Sequence, residues 1–141
     1  MGEGAQGKGG GSALELAHEL ARAYFAAVTA GELPDSLLTD DMTAWLTTEG
    51  VKSKKEYQAA IRLLARMCAQ PIRFTIDAIT AQEDRVLAEA RSKARLINGE
   101  PYEMTYVFSF RIRDGRIAWI AEHYNALIVR EKLFPLMAQL A

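Results

Sequence analysis

The sequence holds one cysteine, two histidines and four prolines, and it has no apolar run approaching the roughly 20 residues of a membrane-spanning helix. A single thiol, Cys68, cannot close an intramolecular disulfide or seed a zinc cluster. His18 and His123 lie far apart with no short ligand spacing between them, so no metal site is indicated and none is expected. Charge of one sign is also lacking. Lys plus Arg number 17 and Asp plus Glu 18, a formal net charge of −1, which gives no general attraction to nucleic acid or to anionic lipid. The start of the chain has no uninterrupted apolar stretch after a basic residue, as a secretory signal would require, and a cytoplasmic location is expected.

What is present fits one soluble domain. The 141 residues are 50% apolar and 25% charged, the usual proportions of a folded chain large enough to enclose a cavity. Six of the 10 glycines fall within residues 2–11. Glycine loses the most backbone entropy on ordering, so residues 1–12 are expected to form a flexible leader and residues 13–141 the domain.

Ser12 with Glu15 reads as a helix start, followed by apolar residues at helical spacing from Leu14 through Ala17, Ala21, Tyr24, Phe25 and Val28 to a stop at Gly31. A helical turn is expected around Pro34–Leu38 and a short strand over Met42–Leu46. Ser53 caps a second helix with Tyr57, Ala60, Ile61, Leu64 and Met67/Cys68 on one stripe, ended by Pro71. Period two then takes over. Ile72, Phe74, Ile76 and Ala78 alternate with polar residues, as do Val86, Ala88, Ala90, Ser92 and Ala94, then Tyr102, Met104, Tyr106, Phe108 and Phe110, with a last strand within Arg116–Val129. A short terminal helix is expected within Arg130–Leu140. Helices first and long antiparallel strands afterwards predict an α+β fold whose sheet is covered on one face. Alanines on one strand facing Tyr, Met and Phe on the next leave either close packing or a pocket. The outward residues Arg91, Lys93, Arg95, Arg111, Arg113 and Arg116 form a basic stripe with only Trp119 as an aromatic partner. That suits a solvated face or a two-fold homodimer better than single-stranded nucleic acid.

The order of elements, together with Ala23-Tyr24-Phe25-Ala26-Ala27, Ala30-Gly31-Glu32-Leu33, Thr39-Asp40-Asp41-Met42-Thr43 and the segment Phe108–His123, resembles the nuclear transport factor 2-like superfamily over residues 13–134. That group includes ketosteroid isomerase, SnoaL-type polyketide cyclases and limonene epoxide hydrolase. The resemblance implies a cone-shaped α+β barrel, cystatin-like, with N-terminal helices packed on a strongly curved antiparallel meander. It places Tyr24 where the isomerase has its oxyanion tyrosine, Tyr106 near that enzyme's second oxyanion donor, and Leu46 where its base stands. Glu122 aligns with a catalytic aspartate of the epoxide hydrolase, whose arginine and second aspartate fall at Ala90 and Ser92. Neither catalytic set is therefore complete here, and a fold of this kind hosts many chemistries.

Which of Glu122 and His123 faces inward depends on register, because a one-residue slip exchanges the faces of a strand. A two-residue turn at Asp114-Gly115 would pair Phe108 with Ala121 and Tyr106 with His123. A three-residue loop with Gly115 in a bulge would pair Tyr106 with Glu122 and Phe108 with Ile120. The resemblance favours the second, with Glu122 inside. A longer or bulged loop is expected at Asn98-Gly99. The expected site then has Glu122 as base and Tyr24 and Tyr106 as donors to an oxyanion, with Trp45, Ser92, Met104, Phe108, Ile120 and Tyr124 binding a small hydrophobic molecule, without metal or organic cofactor. Isomerisation, cyclisation, dehydration and hydrolysis all fit that set. A ligand carrier or a protein-interaction module is the alternative.

Overall fold

The computed structural model describes residues 2–141, and their side chains from residue 13 onward. Helix α1 spans Gly2–Ala30, so the start expected at Ser12 lies inside the helix; the side chains of the expected leader fall outside the described residues. A 3-10 turn at Asp35–Leu37 leads into β1 (Leu38–Leu46), β2 (Gly50–Ser53) and α2 (Lys54–Met67). Then come β3 (Arg73–Gln82), β4 (Arg85–Arg95), β5 (Pro101–Arg113) and β6 (Arg116–His123), and finally α3 (Ala126–Lys132) and α4 (Phe134–Leu140). Among the described residues the strands form one six-stranded sheet in the order β2-β1-β6-β5-β4-β3. The α+β class expected from the sequence is the class observed. The sheet is antiparallel except between β1 and β6, which run parallel, so it closes on its first strand rather than continuing the meander. No helix among the described residues is long and apolar enough to cross a membrane.

Local chemistry sets the helix ends. Gly31 adopts φ +86, and its N–H reaches the Val28 carbonyl at 3.0 Å while the Glu32 N–H reaches that of Ala27 at 3.2 Å. This is the Schellman termination, which favours glycine because a Cβ strains the left-handed conformation. Ser53 and Glu56 form a reciprocal capping box at the start of α2. Asn125 caps α3 by accepting the Leu127 N–H, which ends β6 sooner than the expected strand reaching Val129. Pro135 occupies the first turn of α4, where a missing N–H does no harm.

Two strand irregularities decide the faces. Phe74 and Ile76 point inward on β3, but Asp77 is an extra residue against β4, so Ile79 and Ala81 face inward next and Ala78 is exposed, contrary to simple alternation. The turn between β5 and β6 has only two residues. Asp114 and Gly115 take φ +54 and +73, the pair of positive values that a tight hairpin requires, and Arg113 faces Arg116. Ala118 is then extra in β6, since Ile112 faces Ile117 while Arg111 faces Trp119. Phe108 consequently pairs with Glu122 and Phe110 with Ile120, neither of the two registers expected. The bulge restores the parity of the second one, and Glu122 turns inward. The connection around Asn98-Gly99 is long, as anticipated, with Arg95 opposite Pro101.

The inner face of the sheet and the helices share one core. Tyr24, Tyr57, Phe108, Phe110, Ile117 and Ile120 are among its fully buried side chains. On the outer face the basic stripe is partly neutralised: Arg91 holds Asp77 through two bonds of 2.8 Å, and Arg113 pairs with Asp41.

Gly31 also faces α2 closely, where an added Cβ would lie 2.9 Å from the Cβ of Ala65. Gly31→Ala is therefore expected to destabilise the fold by more than about 1 kcal/mol, combining left-handed strain with a clash between helices. Urea titrations should show a lower midpoint with an unchanged slope.

Candidate functional site

Glu122 stands at the last inward position of β6, and its backbone is fixed from the β1–β2 loop. Thr47 donates to the Glu122 carbonyl from its N–H at 3.2 Å and from its hydroxyl at 2.7 Å, and its Oγ1 accepts the Tyr124 N–H at 3.2 Å. The next residue, Thr48, shares a 2.7 Å hydrogen bond with the Tyr124 hydroxyl. Two consecutive threonines thus set both the carboxylate and the tyrosine beside it. That loop belongs to a β1–β2 hairpin absent from the sequence reading, although Gly50, which takes φ +72, was its available signal.

The carboxyl group meets a chain of two phenols. Tyr57 of α2 donates to Glu122 Oε2, and the Tyr57 oxygen is paired in turn with the Tyr24 hydroxyl of α1. Because the Tyr57 proton is committed to the carboxylate, the Tyr24 proton must be committed to Tyr57. Both phenols are buried, and burial holds their pKa values well above the ordinary tyrosine range, so they remain neutral donors. The Tyr24 hydroxyl also lies close enough to the carboxyl group to favour its charged form, although the hydrogen bond with full geometry is the one from Tyr57 to Oε2. Burial raises the pKa of Glu122 from 4.5 to about 7, with the hydrogen bond from Tyr57 pulling it down and the charge of Glu49 pushing it up.

A cavity of about 80 Å³ adjoins this carboxyl group, several times the space one water needs. Its wall is hydrocarbon from Leu46, Ile61, Leu64, Met67, Leu133 and Met137, among others, with Tyr57, Tyr102, Tyr106 and Tyr124 interspersed. Glu49, an exposed residue, carries it to the surface. Tyr106 lies on the wall and shares a 2.7 Å hydrogen bond with Ser92 behind it.

The structure therefore brings together Glu122, Tyr106 and Tyr124 of the expected set and disperses the rest. Tyr24 backs Tyr57 rather than facing the cavity, so it supports the carboxylate and offers no proton to a ligand. Phe108 and Ile120 are buried in the core beneath the site. Ser92 and Met104 border a separate concavity with Asn125 and Ile128. Trp45 is on the outer face, packed at a tilt against His123 with ring centroids 4.9 Å apart, because Met42, Ala44 and Leu46 take the inward positions of β1. The sequence offers Tyr57 either as an O–H donor to a ligand or as a core aromatic, offers Tyr102 only as a strand aromatic, and gives no signal for Glu49. Cys68 is half-buried, and burial raises its thiol pKa, which favours the protonated form over the nucleophilic thiolate. Among the described residues no group of three or more His, Cys, Asp or Glu is placed to hold a metal ion.

An inward acid at the end of the last strand and phenols converging on it from two helices thus sit within a cone-shaped α+β fold, beside an apolar space. The chain belongs to the SnoaL-like domain family, which matches residues 21–120. Solved structures share the fold. An NTF2-like protein from Anabaena variabilis is 22% identical, with 80% of this chain and 89% of that one covered at a TM-score of 0.72. IdmH, a putative polyketide cyclase from Streptomyces antibioticus, is 16% identical over 83% of this chain and 97% of its own, at 0.70. A putative isomerase from Bacillus subtilis is 21% identical over 84% and 93%, at 0.72. No curated protein matches the sequence.

The raised pKa has a consequence for stability. Between pH 4.5 and about 7 the folded chain keeps the Glu122 proton, whereas the unfolded chain has released it. Glu122 therefore contributes most to stability below pH 4.5, and that contribution is lost as pH rises through about 7, a change on the order of 3 kcal/mol. Glu122→Gln should remove this part of the pH dependence when unfolding free energies of the two proteins are compared across the range.

Proposed function

We propose that this protein binds a small, largely apolar molecule in the Glu122 cavity and moves a proton on it without metal or organic cofactor. The reading rests chiefly on one observation: Glu122 has Oε2 fastened by Tyr57 while its carboxyl group adjoins a hydrocarbon-lined space. A base held by one oxygen keeps its orientation, and the other oxygen is left to take the proton. With a pKa of about 7, both protonation states are populated near neutrality, so the group can accept a proton and return it.

Negative charge developing on a substrate oxygen would meet Tyr106. With Ser92 donating to the Tyr106 oxygen, the phenol proton would turn from its neighbour Tyr102 to the ligand, and its raised pKa keeps it a neutral donor. Proton removal and return at a neighbouring atom is isomerisation; removal followed by ring closure is cyclisation; removal followed by departure of a hydroxyl group, which takes the proton back and leaves as water, is dehydration. The names of the related structures, a putative polyketide cyclase and a putative isomerase among them, lie within that range.

A screen of cyclic and aromatic apolar compounds by thermal shift, followed by turnover assays on those that stabilise the protein, tests the reading. The value of kcat/KM should rise with pH to a plateau, with its midpoint near 7 as Glu122 loses its proton. Glu122→Gln should lower kcat by about a hundredfold or more while ligand binding persists. Tyr57→Phe, which removes a bond favouring the charged carboxylate, should move the midpoint upward. Binding without any turnover would identify a carrier instead, and full activity in Glu122→Gln would end the assignment of the base.

A further inference from the structure

The charges around the cavity are all of one sign. Its wall includes Glu122 from β6 and Glu49 from the β1–β2 loop, but no Lys, Arg or His among the described residues. Every packed element agrees. From α2 come Tyr57 and hydrocarbon, and from β5 Tyr102 and Tyr106. Tyr124 follows β6, Leu46 comes from β1, and α3, α4 and the residue joining them add Val129, Met137 and Leu133. Tyr24 of α1 stands behind Tyr57. Lys52 is the nearby cation, yet it sits outside the lining and is paired at 3.2 Å with Glu49 on the rim. Glu122 therefore faces phenols and a second acid, with no cation across the cavity.

This arrangement repels a carboxylate or phosphate, since an anion would stand against two acids in a poorly hydrated space. It suits a cation that is largely hydrocarbon. An ammonium has three donors and no acceptor, which matches the carboxylate oxygen that Tyr57 does not occupy, and the charge-assisted bond exceeds a neutral one. Aromatic rings around it add attraction through their faces. We infer that the ligand of this cavity is a small apolar molecule carrying a protonated amine, whose nitrogen meets Oε1 of Glu122. The inference rests on the ligand-binding reading above and names the class of molecule. In such a complex the proton that Glu122 accepts is one from nitrogen: the N–H bond breaks, the O–H bond forms at Oε1, and the electron pair stays on nitrogen as a nucleophile.

Benzylamine, benzyl alcohol and benzoate share one ring and differ in charge, which makes them suitable probes of the full chain by calorimetry and NMR titration. At about pH 8 the Glu122 carboxyl is mostly ionised, and benzylamine should bind at least about tenfold more tightly than benzyl alcohol, with benzoate weakest. Near pH 7 benzylamine binding should release on the order of half a proton, read from the dependence of binding heat on buffer, because the cation favours the charged carboxylate. Glu122→Gln should abolish both the preference and the proton release, and circular dichroism establishes that this variant is folded. Glu49→Gln, on the exposed rim, should weaken the preference only in part. Benzyl alcohol binding as tightly as benzylamine to the unaltered protein, or a preference that survives Glu122→Gln, would overturn the inference and leave the ligand-binding reading intact. If none of the three shifts a cavity resonance, the ligand-binding reading itself falls and the inference with it.

Discussion

A carboxyl group placed in a hydrocarbon interior must either find hydrogen-bond donors or keep its proton, and much of this site follows from how Glu122 does some of each. Tyr57 donates to one of its oxygens, and Tyr24 stands behind Tyr57. Burial outweighs that help, and the pKa settles near 7. Stronger solvation would leave an ordinary surface acid, and weaker solvation a permanently neutral one. The phenol chain joins α1, α2 and β6, so the first helix, the second helix and the last strand are all registered on a single proton acceptor. A network this local in space and so dispersed in sequence fixes packing as well as chemistry.

The surrounding fold supplies rigidity at the right places. Parallel pairing of β1 with β6 sets Leu46 opposite Glu122, and Thr47 then ties the Glu122 carbonyl from the same strand end. The acid therefore projects from a hydrogen-bonded strand rather than from a loop, which suits a group whose orientation matters. The cavity rim has a different character. Glu49 and Thr48 occupy a short connection and Tyr124 lies just past the end of its strand, so the entrance is held by hydrogen bonds between loop and strand end rather than by sheet pairing.

Much of the architecture was legible because it is written in local chemistry. Gly31, the Ser53–Glu56 box, Asp114-Gly115 and the alternation of Tyr102 through Phe110 each act through neighbours within a few residues. The parallel closure of β1 on β6 was not legible, since nothing in either strand encodes its partner. Alternation also failed at Asp77, where an extra residue moved the inward set from Ala78 to Ile79. In the site, the inward direction of Glu122 came from resemblance rather than from pattern, and by a register different from the one expected. Trp45 could have been placed correctly, because Met42, Ala44 and Leu46 already claimed the inner face of that strand. The partnership of Tyr57 with Glu122 could not have been read, as it spans helix and sheet across most of the domain. Many tyrosines are compatible with a core; only their hydroxyl directions distinguish a structural ring from one that tunes an acid.

The extra residue at Ala118 makes the chemistry of this interior sensitive to a change in chain length as well as to substitution. Downstream of it, Glu122 faces the greasy side and His123 the wet side. Loss of one residue between that bulge and Glu122, with the hairpin and the bulge kept, would bring His123 opposite Phe108 and present an imidazole to the interior. A lineage built on this scaffold could thus trade one titrating group for another by losing one codon, without inventing a new side chain.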